Sequence, residues 1–235
     1  MKKSVVRSII SVFGVLLMTF PAFAYTVSVN QNNGTTYSTT SLTGYSTNGT
    51  MMDGMKVKVY FSDQTSAEAL WADTGSGSGA ASGTNWSLSE SGDTYGGLWS
   101  FVNGTGLGIT AFTIDAGAGN TVFDRTNGGN WGTDGSAQGW DFSVQSAPTD
   151  LAITATYSDL VALTGYAPVG DLFRFLTVEF ANGGFASDSQ MTYITDTDNL
   201  LLSGDLTSVP EPGTILLLGG GLLGLAFYGR KRSKM

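Results

Sequence analysis

The stretch LFRFLTVEF, Leu172–Phe180, is apolar on both faces except at Arg174, Thr177 and Glu179. A strand covered on both sides reads this way, so the run is expected to be a central strand. Moving outward, KVKVYF at Lys56–Phe61 alternates, with Val57, Val59 and Phe61 on one face and Lys56, Lys58 and Tyr60 on the other. Residues 151–157 set Leu151, Ile153, Ala155 and Tyr157 opposite Ala152, Thr154 and Thr156. Residues 140–144 set Trp140, Phe142 and Val144 opposite Asp141 and Ser143, which marks Trp140 as a core residue. Further strands are expected at 25–29, 86–89, 98–102, 107–114, 121–123 and 191–195. Only 66–71 hints at a helical period. Many short strands between Gly-rich turns point to an all-β ectodomain over 25–202, a β-sandwich or jelly roll.

The punctuation agrees. Asn-Gly recurs at Asn33, Asn48, Asn103, Asn127 and Asn182, a dipeptide that takes the left-handed geometry of tight hairpins at low cost. Three of these continue as Asn-Gly-Thr, and Asn85-Trp86-Ser87 also matches a glycosylation sequon; turn chemistry is the preferred reading. Residues 75–83 are all Gly, Ser and Ala, the composition of a flexible surface loop, and 203–209 form a tether to the C-terminal segment.

The chain has 235 residues, no Cys and no His. Disulfides, thiol nucleophiles, imidazole metal sites and every Ser/His/Asp or Cys/His arrangement are thereby excluded. Over residues 25–209 only four basic residues (Lys56, Lys58, Arg125, Arg174) face eighteen acidic ones. Such a body repels nucleic acid and anionic lipid, and tolerates neutral glycans and divalent cations.

The two ends differ in kind from the body. Lys2, Lys3 and Arg7 precede an apolar run at 9–20, then Pro21 and the small-residue site Ala22-Phe23-Ala24. This is the pattern of a secretory signal peptide, 1–24, cleaved by signal peptidase after Ala24; a retained anchor is the alternative. At the other end stand Pro210, Glu211 and Pro212, an apolar run at 214–228, and the basic tail Arg230, Lys231, Arg232 and Lys234. Fifteen residues of helix span roughly 22 Å, against a hydrocarbon core of about 30 Å. A short transmembrane helix is expected there, with the tail cytoplasmic and the body outside.

This tripartite end, 210–235, resembles the PEP-CTERM sorting signal of Gram-negative bacteria: a Pro-Glu-Pro motif, the apolar span LLLGGGLLGL at 216–225, and a terminal Arg/Lys cluster. The resemblance implies recognition by exosortase at the inner membrane, processing near the motif, and a host that makes exopolysaccharide or biofilm. On that reading Glu211 is a recognition residue and not a catalyst. More loosely, 114–124, 135–140, 157–163 and 167–173 resemble exported bodies that precede this signal, which implies a shared β fold and no activity.

Three kinds of chemistry are open to the body. A glycoside hydrolase needs two carboxylates across a cleft. Glu68, Glu90 and Glu179 are candidates, with Glu179 either buried in the central strand or, as preferred, outward-facing or paired with Arg174, but no pair sits in a diagnostic motif. Calcium takes carboxylate and carbonyl oxygens. Asp196, Asp198 and Asn199 form an Asp-x-Asp-Asn cluster, and Asp115, Asn120 and Asp124 frame a Gly-rich loop; Asx turns use the same residues. Neither group has the EF-hand pattern. Exposed tryptophans stack on sugar rings. Trp131, set among glycines with Asn130 and Asp134 beside it, is the glycan candidate, and Trp140 is its core counterpart. The expectation is an exported, surface-sorted, non-catalytic protein with a structural or adhesive role in a polysaccharide matrix. The alternatives are a carbohydrate-binding module, calcium-assisted or not, and a glycan-active hydrolase.

Overall fold

A computed structural model describes residues 25–43, 46–126, 132–133, 135–136 and 138–209. The expected signal peptide at 1–24 and the expected sorting signal at 210–235 lie outside the described residues, as do Trp131, Asn130 and Asp134. No helix among the described residues is long and apolar enough to cross a membrane.

The first strands are β1 (Thr26–Asn32), β2 (Tyr37–Thr39), β3 (Leu42–Thr43), β4 (Lys56–Phe61) and β5 (Ser66–Gly75). They are followed by β6 (Ser78–Gly83), β7 (Trp86–Ser91), β8 (Leu98–Asn103), β9 (Ile109–Asp115) and β10 (Thr121–Asp124). The rest are β11 (Ser143–Ser146), β12 (Ala152–Leu163), β13 (Leu172–Phe180), β14 (Ser189–Ile194), β15 (Asp196–Leu200) and β16 (Thr207–Ser208). Two 3-10 turns, Gly49–Met52 and Ala116–Gly119, precede β4 and β10. The protein is all-β, and its strands form one curled, mostly antiparallel sheet.

β13 is the hub, as its two-faced apolarity requires. One edge pairs with β12 over most of its length. The other edge is shared, by β10 at Phe173 and Leu172 and by β9 from Phe175 to Glu179. From β9 the sheet continues through β4 to β5. The first half of β5 pairs with β4 and the second half, Trp71–Gly75, with β6. The sheet then runs on through β7, β8 and β14 to β11. It curls enough for Phe101 of β8 to meet Phe112 of β9, ring centroids 4.4 Å apart. Phe180 and Phe185 stack beside them at 5.1 Å, and Trp71, Trp99 and Tyr193 extend the same aromatic core. Each such ring buries a large apolar area, so this cluster dominates the stability of the body.

The expected strands at Lys56–Phe61 and Leu172–Phe180 are present with those bounds. Two expectations fail, and the Asn-Gly pairs divide. The 66–71 segment is not helical but extended, and lies in β5. The 75–83 stretch is no loose loop: it holds a tight turn and β6, paired on both edges. Its glycines make room for indoles. A Cβ on Gly79 would collide with Trp71 Nε1 and the Gly49 carbonyl, and one on Gly83 with the Trp86 ring. Trp71 Nε1 donates to that same Gly49 carbonyl at 2.8 Å. Of the Asn-Gly pairs, Asn182-Gly183 adopts the doubly left-handed turn, φ 59° and 97°. Asn48 is extended and caps the first 3-10 turn, while Asn103 bonds through its amide to the carbonyls of Leu107, Phe185 and Ala186.

The tether is tied down as well. β16 pairs with β2, Val209 N–H donates to the Thr36 carbonyl, and the Asp205 carboxylate accepts from Thr39 and Thr40. The chain therefore stays on the body up to the edge of the sorting signal.

Candidate functional site

β10 and β15 are antiparallel, with Asp124 opposite Asp196 and Val122 opposite Asp198. Side chains alternate along a strand, so Asp196 and Asp198 share a face, and the register adds Asp124 to it. Carboxylate oxygens of Asp124, Asp196 and Asp198 lie within 4.8 Å of one another. All three residues are buried, Asp124 completely. Like charges directly across a sheet repel, and buried ones repel more strongly.

Their partners are few. Asp196 Oδ1 accepts from the Thr94 hydroxyl at 2.9 Å and from Thr197 N–H at 2.8 Å. Both oxygens of Asp124 and Oδ2 of Asp198 are buried with no hydrogen-bond donor. Asp171, just before β13, accepts from the Thr133 hydroxyl through Oδ1 and leaves a buried Oδ2 without one. Burial raises the pKa of Asp124 above the usual carboxylate range, and the charges of Asp198, Asp196 and Asp171 raise it further. Burial, then the Asp198 charge, pushes Asp196 up to about 8. Asp198 is raised by the same burial.

Of the sequence candidates, the fold thus brings together Asp196 and Asp198 but not Asn199. Asn199 falls on the opposite face, where its amide donates to the Met51 carbonyl and accepts from Thr47. Asp115 is drawn away by a bidentate pair with Arg174, and the Asn120 amide donates to the Leu200 carbonyl. Asp124 completes the cluster. It stands at the end of the expected 121–123 strand, but its pairing with β15 depends on a register between distant segments that no local pattern carries. Glu179 is exposed, and Glu68 faces Lys56 at 4.0 Å on the surface. Glu90 is buried with both oxygens undonated, and burial pushes it up to about 8.

Trp140 adjoins the cluster through its backbone. Trp140 N–H donates to the Asp124 carbonyl, and Asp196 N–H donates to the Trp140 carbonyl, each at 3.1 Å. This backbone clamp holds 140 outside the regular strand, which begins only at Ser143. The alternation read from 140–144 therefore misplaces the indole: Trp140 is 42% exposed, whereas Phe142 is buried. Tyr95, 37% exposed, meets Trp140 edge to face at 5.7 Å. Trp131, Asn130 and Asp134, the glycan candidates from sequence, lie outside the described residues.

The site is a buried acidic cluster on β10 and β15 of an all-β body. The family model for the PEP-CTERM protein-sorting motif matches residues 208–232, as the resemblance of Pro210, Glu211, Pro212 and the basic tail implied. The motif marks an exported protein sorted at the membrane toward the cell surface, and implies processing by exosortase. No curated protein and no solved structure matches the chain.

Proposed function

We propose that the protein is a non-catalytic, surface-sorted component of an extracellular polysaccharide matrix, with a structural or adhesive role. The observation that carries this is the sorting motif at 208–232 on an acidic all-β body. On this reading the curled sheet works as a β-sandwich ectodomain. The 214–228 run is a short transmembrane helix that holds the inner-membrane intermediate until processing. The buried carboxylates support a non-catalytic role, because Asp124 is fully covered and offers no open cleft to a glycosidic bond. The test is fractionation of the tagged full chain in an exosortase-competent, polysaccharide-producing host. Release with the polysaccharide fraction on glycosidase treatment is expected; full retention in the inner membrane at its unprocessed mass contradicts the proposal.

A second reading, glycan binding, is favoured by the exposed Trp140–Tyr95 pair. An indole face of this kind presents apolar area to a pyranose ring. Loss of polysaccharide pull-down in Trp140→Ala, with the fold intact, is the expected result; unchanged pull-down removes this reading.

A further inference from the structure

We propose that Asp124, Asp196 and Asp198 bind one hard divalent cation of the calcium class between β10 and β15. The cluster alone does not carry this. The second observation is Asp124: its side chain is fully buried, lies in the cluster, and has both oxygens without a donor. Undonated buried carboxylate oxygens are rare because leaving them so is costly.

The usual remedy, a nearby Arg or Lys, is spent elsewhere. Arg125 is bidentate to Asp141 and lies over the Tyr157 ring; Arg174 is bidentate to Asp115. Lys56 faces Glu68 and Lys58 lies over Tyr60. These are the four basic residues of the 25–209 body, and their ion pairs are with Glu68, Asp141 and Asp115, not with the cluster. The geometry suits a metal instead. Oxygens 4.8 Å apart or less fit around one ion at a bond length of about 2.4 Å, the calcium–oxygen distance. The three cluster donors are all carboxylate oxygens, hard ligands that disfavour zinc and copper. Thr94 and Thr197 hold Asp196 Oδ1 in place, so one ligand is oriented in advance. Without a cation, the same charge would have to be relieved by a proton held between Asp124 and Asp198.

The test is calcium titration of the EDTA-stripped full chain in detergent, by calorimetry and by terbium luminescence sensitised through Trp140. One calcium per chain is expected, with terbium emission displaced by calcium. At a hundredfold excess over Kd, calcium should raise Tm by roughly 5–10 °C relative to sodium chloride of equal ionic strength. Asp124→Asn should weaken calcium binding about tenfold or more, while Asp188→Asn, an exposed control, leaves it unchanged. Absence of 1:1 binding in the unaltered chain, or equal affinity in Asp124→Asn, overturns the site. Because the unaltered chain is decisive alone, misfolding of a variant does not rescue the proposal. Magnesium in place of calcium is expected to bind more weakly, since it demands a near-octahedral shell and dehydrates reluctantly; magnesium binding tighter than calcium would overturn the assignment to the calcium class.

Discussion

The interior of this body is built in two opposite ways. Between β8, β9 and β13 it buries Phe101, Phe112, Phe180 and Phe185, rings in contact with rings. Between β10 and β15 it buries Asp124, Asp196 and Asp198, carboxylates facing carboxylates. The first region is stable through its own contacts. The second opposes folding unless something else neutralises it, because burying charge without compensation is among the costliest acts in folding. The contrast separates what a protein packs for stability from what it holds for a ligand.

The largest effect should come from the aromatic side. Phe101→Ala removes a fully buried ring that touches Phe112, Phe180 and Phe185, and should destabilise by about 3–5 kcal/mol in chemical denaturation. A loss under about 1 kcal/mol would mean that the rings are not the stabilising core. Next is Gly79→Ala. The added methyl drives into Trp71 Nε1 and the Gly49 carbonyl, and overpacking of this kind costs about 1–3 kcal/mol. Neutral behaviour there would show that β6 lies farther from the Trp71 indole than the close packing described.

These two cases also mark where the sequence is legible. Alternation at Lys56–Phe61 and two-faced apolarity at Leu172–Phe180 are local signals, and both strands follow from them. Residues 75–83 carry no local signal for a strand, because their role is set by Trp71 and Trp86 packing over Gly79 and Gly83. Trp140 misleads for a related reason: its bonds to Asp124 and Asp196 hold it outside the strand whose alternating pattern it opens in the sequence. Asp196 and Asp198 are visible as a pair two residues apart. Asp124 joins them through a pairing of distant strands, and Asn199 leaves them through the pleat.

The third prediction concerns a lone buried acid. Glu90 is raised to about 8 from 4.5 by burial, opposed by the Gly49 backbone and reinforced by Asp93. The folded state therefore holds a proton that the unfolded chain has already released. Glu90's contribution is most favourable below pH 4.5, declines as pH rises, and is fully lost above about 8. Subtracting the pH–stability curve of Glu90→Gln from that of the unaltered chain should leave a difference falling across this window. A flat difference would place Glu90 in solvent.

The smallest effect on stability belongs to the surface residue Trp140. Trp140→Ala truncates a half-exposed side chain and should change stability by less than about 1 kcal/mol, with the edge contact to Tyr95 lost. A cost of about 3 kcal/mol or more would return Trp140 to the core.

The contrast between the two interiors is tested most directly by a high-resolution crystal structure of the protein grown with calcium. A single cation peak bonded at about 2.4 Å to Asp124, Asp196 and Asp198 is the predicted result. A short Asp124–Asp198 oxygen contact with no cation between the three carboxylates would contradict it, and would make the cluster a proton-sharing pair.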